Sequence, residues 1–215
     1  MARYPAEHKG ATRARILAAS EEVLKDRGVD GASVDAVMRA AGLTVGGFYA
    51  HFASKEELTR EALLYGIERS FARLTEGTEH LGARPFLREL IRRYLAQLDD
   101  PALGKACPLT LLLPDVARGG DDFRERFATR TAALLAQVET HFPEVPGMAQ
   151  RDVALAVFSA LSGAVAMARA AATSRARARI AAATEALLVQ MFGLDAASDT
   201  PPDMPPRRIR SRRGA

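Results

Sequence analysis

Residues 49–55, Tyr-Ala-His-Phe-Ala-Ser-Lys, bring a phenol, an imidazole, a hydroxyl and an ammonium group into one short run. Each can donate a hydrogen bond, so a surface presenting them together suits an anionic partner. The other reactive group is Cys107, in Gly-Lys-Ala-Cys-Pro-Leu, just before an expected helix start and two residues from Lys105. A helix N-terminus and a nearby cation both favour the thiolate, which would make Cys107 an electrophile-sensitive thiol; the plainer reading is an inert, buried small residue. The chain has no Gly-rich nucleotide loop, no Gly-x-Ser-x-Gly elbow and no His-Glu-x-x-His, so no catalytic residue, cofactor or enzyme activity is expected. His8, His51, His80 and His141 are scattered, and Glu76 with His80 on one helical face supplies too few ligands for a metal site.

Those groups need a scaffold, and the hydrophobic periodicity reads as helix almost everywhere, with no convincing strand. Ile16, Leu17, Val23 and Leu24 share a face of a helix that Gly28 stops. Val34, Val37, Met38 and Ala41 repeat at helical spacing between Ser33 as N-cap and Gly42. A very short helix follows Thr44. Ser54-Lys55-Glu56-Glu57 is a capping box that opens a long helix from Lys55 to about Thr75.

Later stripes run from Phe86 to Leu98, ended by Asp99-Asp100-Pro101, and from Pro108 to about Arg118, interrupted by Pro114. Asp122 with Glu125 caps a helix carrying Phe123, Phe127, Leu134, Leu135, Val138 and Phe142, and two last helices cover roughly 149–172 and 174–192. The expectation is an all-α fold of about nine helices. It divides into a head over 1–57, a larger helical domain over 58–195 and a Pro- and Arg-rich tail over 196–215 with almost nothing to bury, read as disordered.

Within the head, residues 33–51 form a helix-turn-helix: a first helix, the turn Gly42-Leu43-Thr44, and a short second helix from Val45 to His51. Gly42 supplies the positive-φ turn, Leu43 tucks in between, and Thr44 is placed to cap the second helix. Phe48 and Phe52 anchor the inner face of that helix. Val45, Gly46, Gly47, Tyr49 and Ala50 make an outer face small enough to approach the floor of a DNA major groove.

Over residues 12–58 the chain resembles the N-terminal domain of the TetR family of transcriptional repressors. The resemblance rests on Thr-Arg-Ala-Arg-Ile-Leu-Ala-Ala-Ser, on Ala-Ser-Val-Asp-Ala-Val through Ala-Ala-Gly-Leu-Thr, and on Val-Gly-Gly-Phe-Tyr-Ala-His-Phe followed by Ala-Ser-Lys-Glu-Glu-Leu. It implies that Thr44, Val45 and Gly47 face base edges or nearby phosphates, and that Tyr49 and His51 contact phosphate oxygens. It also implies that Lys55 pairs with phosphate, and that Thr12 and Ser33 cap helices and touch phosphate. Val45 and Ala50 stand where the family often has polar residues. That leaves part of the specificity to Arg39, to a basic N-terminal arm (Arg3, Lys9, Arg13, Arg15) or to DNA shape. The Cys-Pro-Leu run at Cys107 resembles one branch of the family that includes electrophile- and hypochlorite-sensing members.

The same resemblance implies that the larger domain binds a ligand and dimerises on a palindromic operator. Ala154, Ala156, Ala160, Gly163, Ala164 and Ala168 permit close helix approach, and Val157, Phe158, Leu161, Leu187, Leu188, Met191 and Phe192 supply apolar area over too wide an arc for one side. Of these, Val157, Phe158, Leu161, Leu187, Leu188 and Met191 are the expected dimer contacts. Candidate walls of a pocket for a hydrophobic or aromatic effector are Tyr65, Phe86, Tyr94, Cys107, Leu111, Phe123, Phe127 and Met167.

Composition sets the outer bounds. The chain has 215 residues, 48% apolar and 26% charged, which excludes disorder, collagen and disulfide scaffolds. One cysteine allows no intrachain disulfide and suits a reducing cytoplasm. The longest apolar run, Val153 to Ala168, falls short of the ~18 residues of a spanning helix, so no membrane partner is expected. The net charge of +4 mostly reports the tail, where five arginines face two aspartates. A helical small-molecule-binding module without DNA function is the competing class, and it leaves the Tyr-x-His-Phe-x-Ser-Lys run unexplained.

Overall fold

A computed structural model describes residues 6–98 and 108–194. They form eight α-helices and three 3-10 helices, and no strand occurs among the described residues. Cys107, Asp99-Asp100-Pro101 and the tail at 196–215 lie outside the described residues, as does the side chain of Leu111.

Helix α1 (Ala6–Gly31) leaves helical geometry at Gly28 (φ 69°, ψ −179°), where the periodicity places its stop, and closes with a last turn. Because it already starts at Ala6, Thr12 lies inside it and caps nothing, and Lys9, Arg13 and Arg15 stand on a helix instead of an arm. Helix α2 (Val34–Ala40) is capped by Ser33, whose Oγ accepts from the Ala36 N–H at 3.1 Å.

The long helix α3 (Lys55–Thr75) opens at the N-cap Ser54 with a variant of the capping box, in which the glutamate bonds one residue ahead of the cap. Ser54 Oγ accepts from the Glu57 N–H at 3.1 Å, and the Glu57 carboxylate reaches back to the Ala53 N–H at 2.7 Å. At a rise of about 1.5 Å per residue it is ~31 Å long, enough to serve both domains.

The larger domain consists of α4 (Ala83–Leu95), α5 (Pro108–Arg118), α6 (Asp121–Ala136), α7 (Gln150–Ala170) and α8 (Ser174–Phe192). Pro114 does not interrupt α5, which runs through it with one backbone donor missing. Gly120, without a side-chain bond, replaces Asp122 as the N-cap of α6; Asp121 and Asp122 lie in the first turn, where they complement the helix dipole. This helix ends at Ala136, and Val138 and Phe142 reach the core through a 3-10 turn.

Three apolar clusters follow the chain. Ile16, Leu17, Val37, Met38, Phe48, Phe52, Leu58 and Ala62 fill the head. Leu63, Leu64 and Ile67 of α3 meet Val116 and Phe123 at the junction with α5 and α6. Phe71, Phe86, Leu90, Tyr94, Phe142, Val157, Phe158 and Leu161 belong to the large core. By length and composition α7 is apolar enough to cross a membrane, contrary to the run-length expectation. Val153, Ala154, Val157, Leu161 and Ala168 are nevertheless buried against neighbouring helices, as in a central core helix.

Candidate nucleic-acid interface and ligand cavity

The turn of the helix-turn-helix is built by backbone bonds: Gly42 N–H donates to the Arg39 carbonyl at 3.0 Å and Leu43 N–H to that of Met38 at 2.8 Å. Gly42 has φ 65°, the left-handed region that a side chain resists. The second element is a 3-10 helix, Val45–Ala50. Phe48 is driven inward onto Phe52, with ring centroids 5.9 Å apart, while Val45, Gly46, Tyr49 and Ala50 stand exposed. Tyr49 is 73% exposed, its ring edge against Phe48. Thr44 holds the N-cap position through its backbone, without a side-chain bond. Gly47 is half-buried beside Met38 and thus less outward than the other members of this face.

Lys55 stands half-exposed at the first turn of α3, on the chain directly after the 3-10 element. His51 is half-buried, and its Nδ1 is buried without a hydrogen-bond partner. Burial, then the cations Lys9 and Arg13, hold its imidazole below the ordinary pKa. Arg13 also lies over the Phe52 ring, 4.7 Å from its centroid. Arg15 donates to the Gly42 carbonyl at 3.4 Å, which ties α1 to the turn. Arg39 is exposed and ion-paired with Asp35 one turn earlier.

Two carboxylates that periodicity did not single out brace the head. Glu21, 1% exposed, accepts from Lys25 at 2.6 Å and from Arg69 of α3 at 3.0 Å. Its place on the Leu17–Leu24 face, four residues before a lysine, is the signal that could have found it. Glu61 of α3 is gripped by Arg13 of α1 at 3.3 Å and by Arg126 of α6. Burial raises the Glu61 carboxyl pKa, but the two guanidinium groups outweigh it and hold the group below its ordinary value. Glu68 pairs with Arg130 farther along the α3–α6 seam.

A cavity of about 380 Å³ opens among α3, α4, α5, α6 and α7. Tyr94 and Phe127 line it, as the sequence suggested. The remaining walls include Ile67, Phe71, Leu74, Leu134, Leu135, Leu155 and Phe158, none of which the sequence had singled out as a pocket wall and of which Phe158 was expected at the dimer contact. The other pocket candidates among the described residues fall elsewhere. Phe86 is in the large core, Phe123 in the α3–α5–α6 junction, Tyr65 against the head cluster, and Met167 on the surface.

The dimer candidates also divide. Val157, Phe158, Leu161 and Leu188 are buried within one chain, because α7 is covered by α4, α6 and α8. Leu187 and Met191 are 57% and 67% exposed. Among the described residues no group of three His, Cys, Asp or Glu side chains could hold a metal.

Residues 16–62 match the sequence model of bacterial regulatory proteins of the tetR family. The HTH-type transcriptional regulator UidR of Escherichia coli K12 is 35% identical over 80 residues, 37% of this chain, and the chain spans only 41% of that relative's length. Among solved structures, reduced NemR of E. coli superposes with a TM-score of 0.67 at 21% identity, over 86% of this chain and 99% of that one. FadR of Bacillus subtilis in complex with stearoyl-CoA superposes with a TM-score of 0.57 at 16% identity, over 84% of this chain and 98% of that one.

Proposed function

We propose, from the match of residues 16–62 to the model of bacterial regulatory proteins of the tetR family, that the chain is a cytoplasmic, homodimeric DNA-binding regulator of that family. In this reading it represses, and a small hydrophobic ligand in the α3–α7 cavity releases it from a palindromic operator. The observation that carries the reading is the exposed 3-10 element, where Tyr49 projects from a strip of Val, Gly and Ala directly before Lys55. A wide, low surface with one projecting hydroxyl suits a groove floor edged by phosphates.

Thr44, Val45 and Gly47 approach the base edges. Tyr49 and Lys55 donate to phosphate oxygens, and His51 does so through the N–H of its neutral ring. Thr12 and Ser33 add backbone-side contacts. Exposed Met167, Leu187 and Met191, with the small Ala156 and Ala160, form the face on which a second copy packs. Two heads then lie about 34–36 Å apart or slightly more, one turn of DNA. The domains divide at residues 57 and 58, inside α3.

The release step follows from the continuity of α3. Ile67, Phe71 and Leu74 wall the cavity, while Lys55 at the other end meets DNA. A ligand that displaces the first set rotates the second. A coupling of about 1–3 kcal/mol shifts operator affinity 5- to 150-fold.

Selection of genomic DNA fragments on the purified protein near physiological salt tests the proposal. Enrichment of a two-fold-symmetric site is the expected result. No enrichment by folded, dimeric, ligand-free protein would overturn it in favour of a helical binding module.

A further inference from the structure

The cavity has a chemical character of its own. Among the described residues its lining includes no Asp, Glu, His, Lys or Arg. The polar side chains among them are Tyr94, Thr131, Ser159 and Ser162. Tyr94 and Ser162 already share a hydrogen bond of 2.8 Å between their hydroxyls. Thr131 differs: its Oγ1 is buried and has no hydrogen-bond partner. A helical threonine commonly turns its hydroxyl back onto a carbonyl of the preceding turn; Thr131 does not, so one hydroxyl on the wall stays unsatisfied, at a cost that a bound polar atom would remove.

Charge sits outside. The cleft between α3 and α6 that shares Phe71 and Leu134 with the cavity is lined by Glu68, Arg73, Glu76, Glu79 and Arg130. Glu68 and Arg130 are paired with each other there. An ionised group carried into the cavity would lose its hydration and find no counter-charge.

We propose that the effector is an uncharged, mainly apolar molecule of two or three rings or equivalent chain, bearing one hydroxyl, carbonyl or amine that bonds to Thr131. This rests on the cavity being the effector site, as in the preceding section. Phosphorylated, carboxylated and ammonium-bearing ligands are excluded from the interior by the same walls. Gly163 marks the way to block it: it lines the cavity, and a Cβ built there meets nothing within 4 Å.

The test needs no DNA, so its failure is distinct from failure of the regulator reading. N-phenylnaphthylamine and anilinonaphthalene sulfonate share one aromatic body and differ by a sulfonate, and both brighten in apolar surroundings. The neutral probe is expected to bind the dimer saturably, one per chain, and at least tenfold more tightly than the sulfonate. Gly163→Phe, with helix content unchanged, is expected to abolish the signal. Displacement by naphthalene and by naphthol then reads the single hydrogen bond: the naphthol-to-naphthalene affinity ratio should fall about five- to tenfold in Thr131→Val. Equal or tighter binding of the sulfonate overturns the proposal. So does undiminished binding to Gly163→Phe, or an unchanged ratio in Thr131→Val. The probe comparison on the natural chain stands even where a variant fails to fold.

Discussion

Glu61 is the side chain at which the head, the long helix and the ligand domain meet, and replacing it by glutamine isolates the effect of its charge. The carboxylate lies on α3 and accepts from Arg13 of α1 and Arg126 of α6. Glu61 is 16% exposed and its partners about 36% and 41%, so the pairs are half-screened and neither surface nor interior values apply alone. Taking each as about 0.5–1 kcal/mol, Glu61→Gln should lose ~1–2 kcal/mol at pH 7.

The pH dependence supplies the stricter test. The folded-state pKa of Glu61 lies below the ordinary 4.5, so its stabilising effect is complete above that pH and disappears as pH falls through the folded value. The difference in urea unfolding free energy between the two proteins should therefore shrink in a series from pH 7 to the acid limit of folding. Pairing the substitution with Arg126→Leu should be non-additive by about 0.5 kcal/mol or more, since the residues are in contact. A loss at pH 7 that persists unchanged at low pH would refute the charge argument and leave packing as the cause.

Three further outcomes follow from the same structure. Lys55→Ala removes one phosphate contact per protomer, so the slope of log K against log salt should fall by about 1.8 for the dimer; it should weaken all operator variants alike, and a loss confined to one variant contradicts the assigned role. Lys25→Met leaves the buried Glu21 carboxylate with Arg69 alone and should cost about 3–5 kcal/mol in denaturant unfolding, with a cost under ~1 contradicting the buried pair. Gly42→Ala, at φ 65°, should destabilise by about 1–2 kcal/mol with Gly42→Asn milder, and thermal unfolding that ranks the two the other way contradicts a conformational cause.

The head was legible because its signals are local. Ser33, Gly42 and the Ser54–Glu57 box act within three or four residues, and their bonds form as those spacings require. Phe48 and Phe52 read as inner residues because the chain offers them one side. The second helix was foreseen, but its 3-10 winding was not. The cap of α6 shows the limit of a local rule: Asp122 and Glu125 have the right types, but the helix starts two residues earlier, with Gly120 at the cap.

In the larger domain every helix is apolar over a broad arc, so periodicity tells that a face is buried without telling against what. Phe86, Tyr94, Phe123 and Phe127 look alike along the chain; Tyr94 and Phe127 reach the cavity, while Phe86 and Phe123 are core. Val157, Phe158, Leu161 and Leu188 read as an interface and turned inward, since α7 is covered by its own neighbours.

The sequence by itself determined the helical class, the helix-turn-helix with its outward Tyr49, and the long helix beginning at Lys55, because each depends on contacts between residues a few positions apart. Only the tertiary structure decided that Glu61 joins Arg13 to Arg126, that Glu21 is buried against Arg69, and which helix faces leave a cavity with one unsatisfied hydroxyl. Those pairs are separated by about fifty or more positions in the chain, and their meeting is set by how helices stack, which no local spacing encodes.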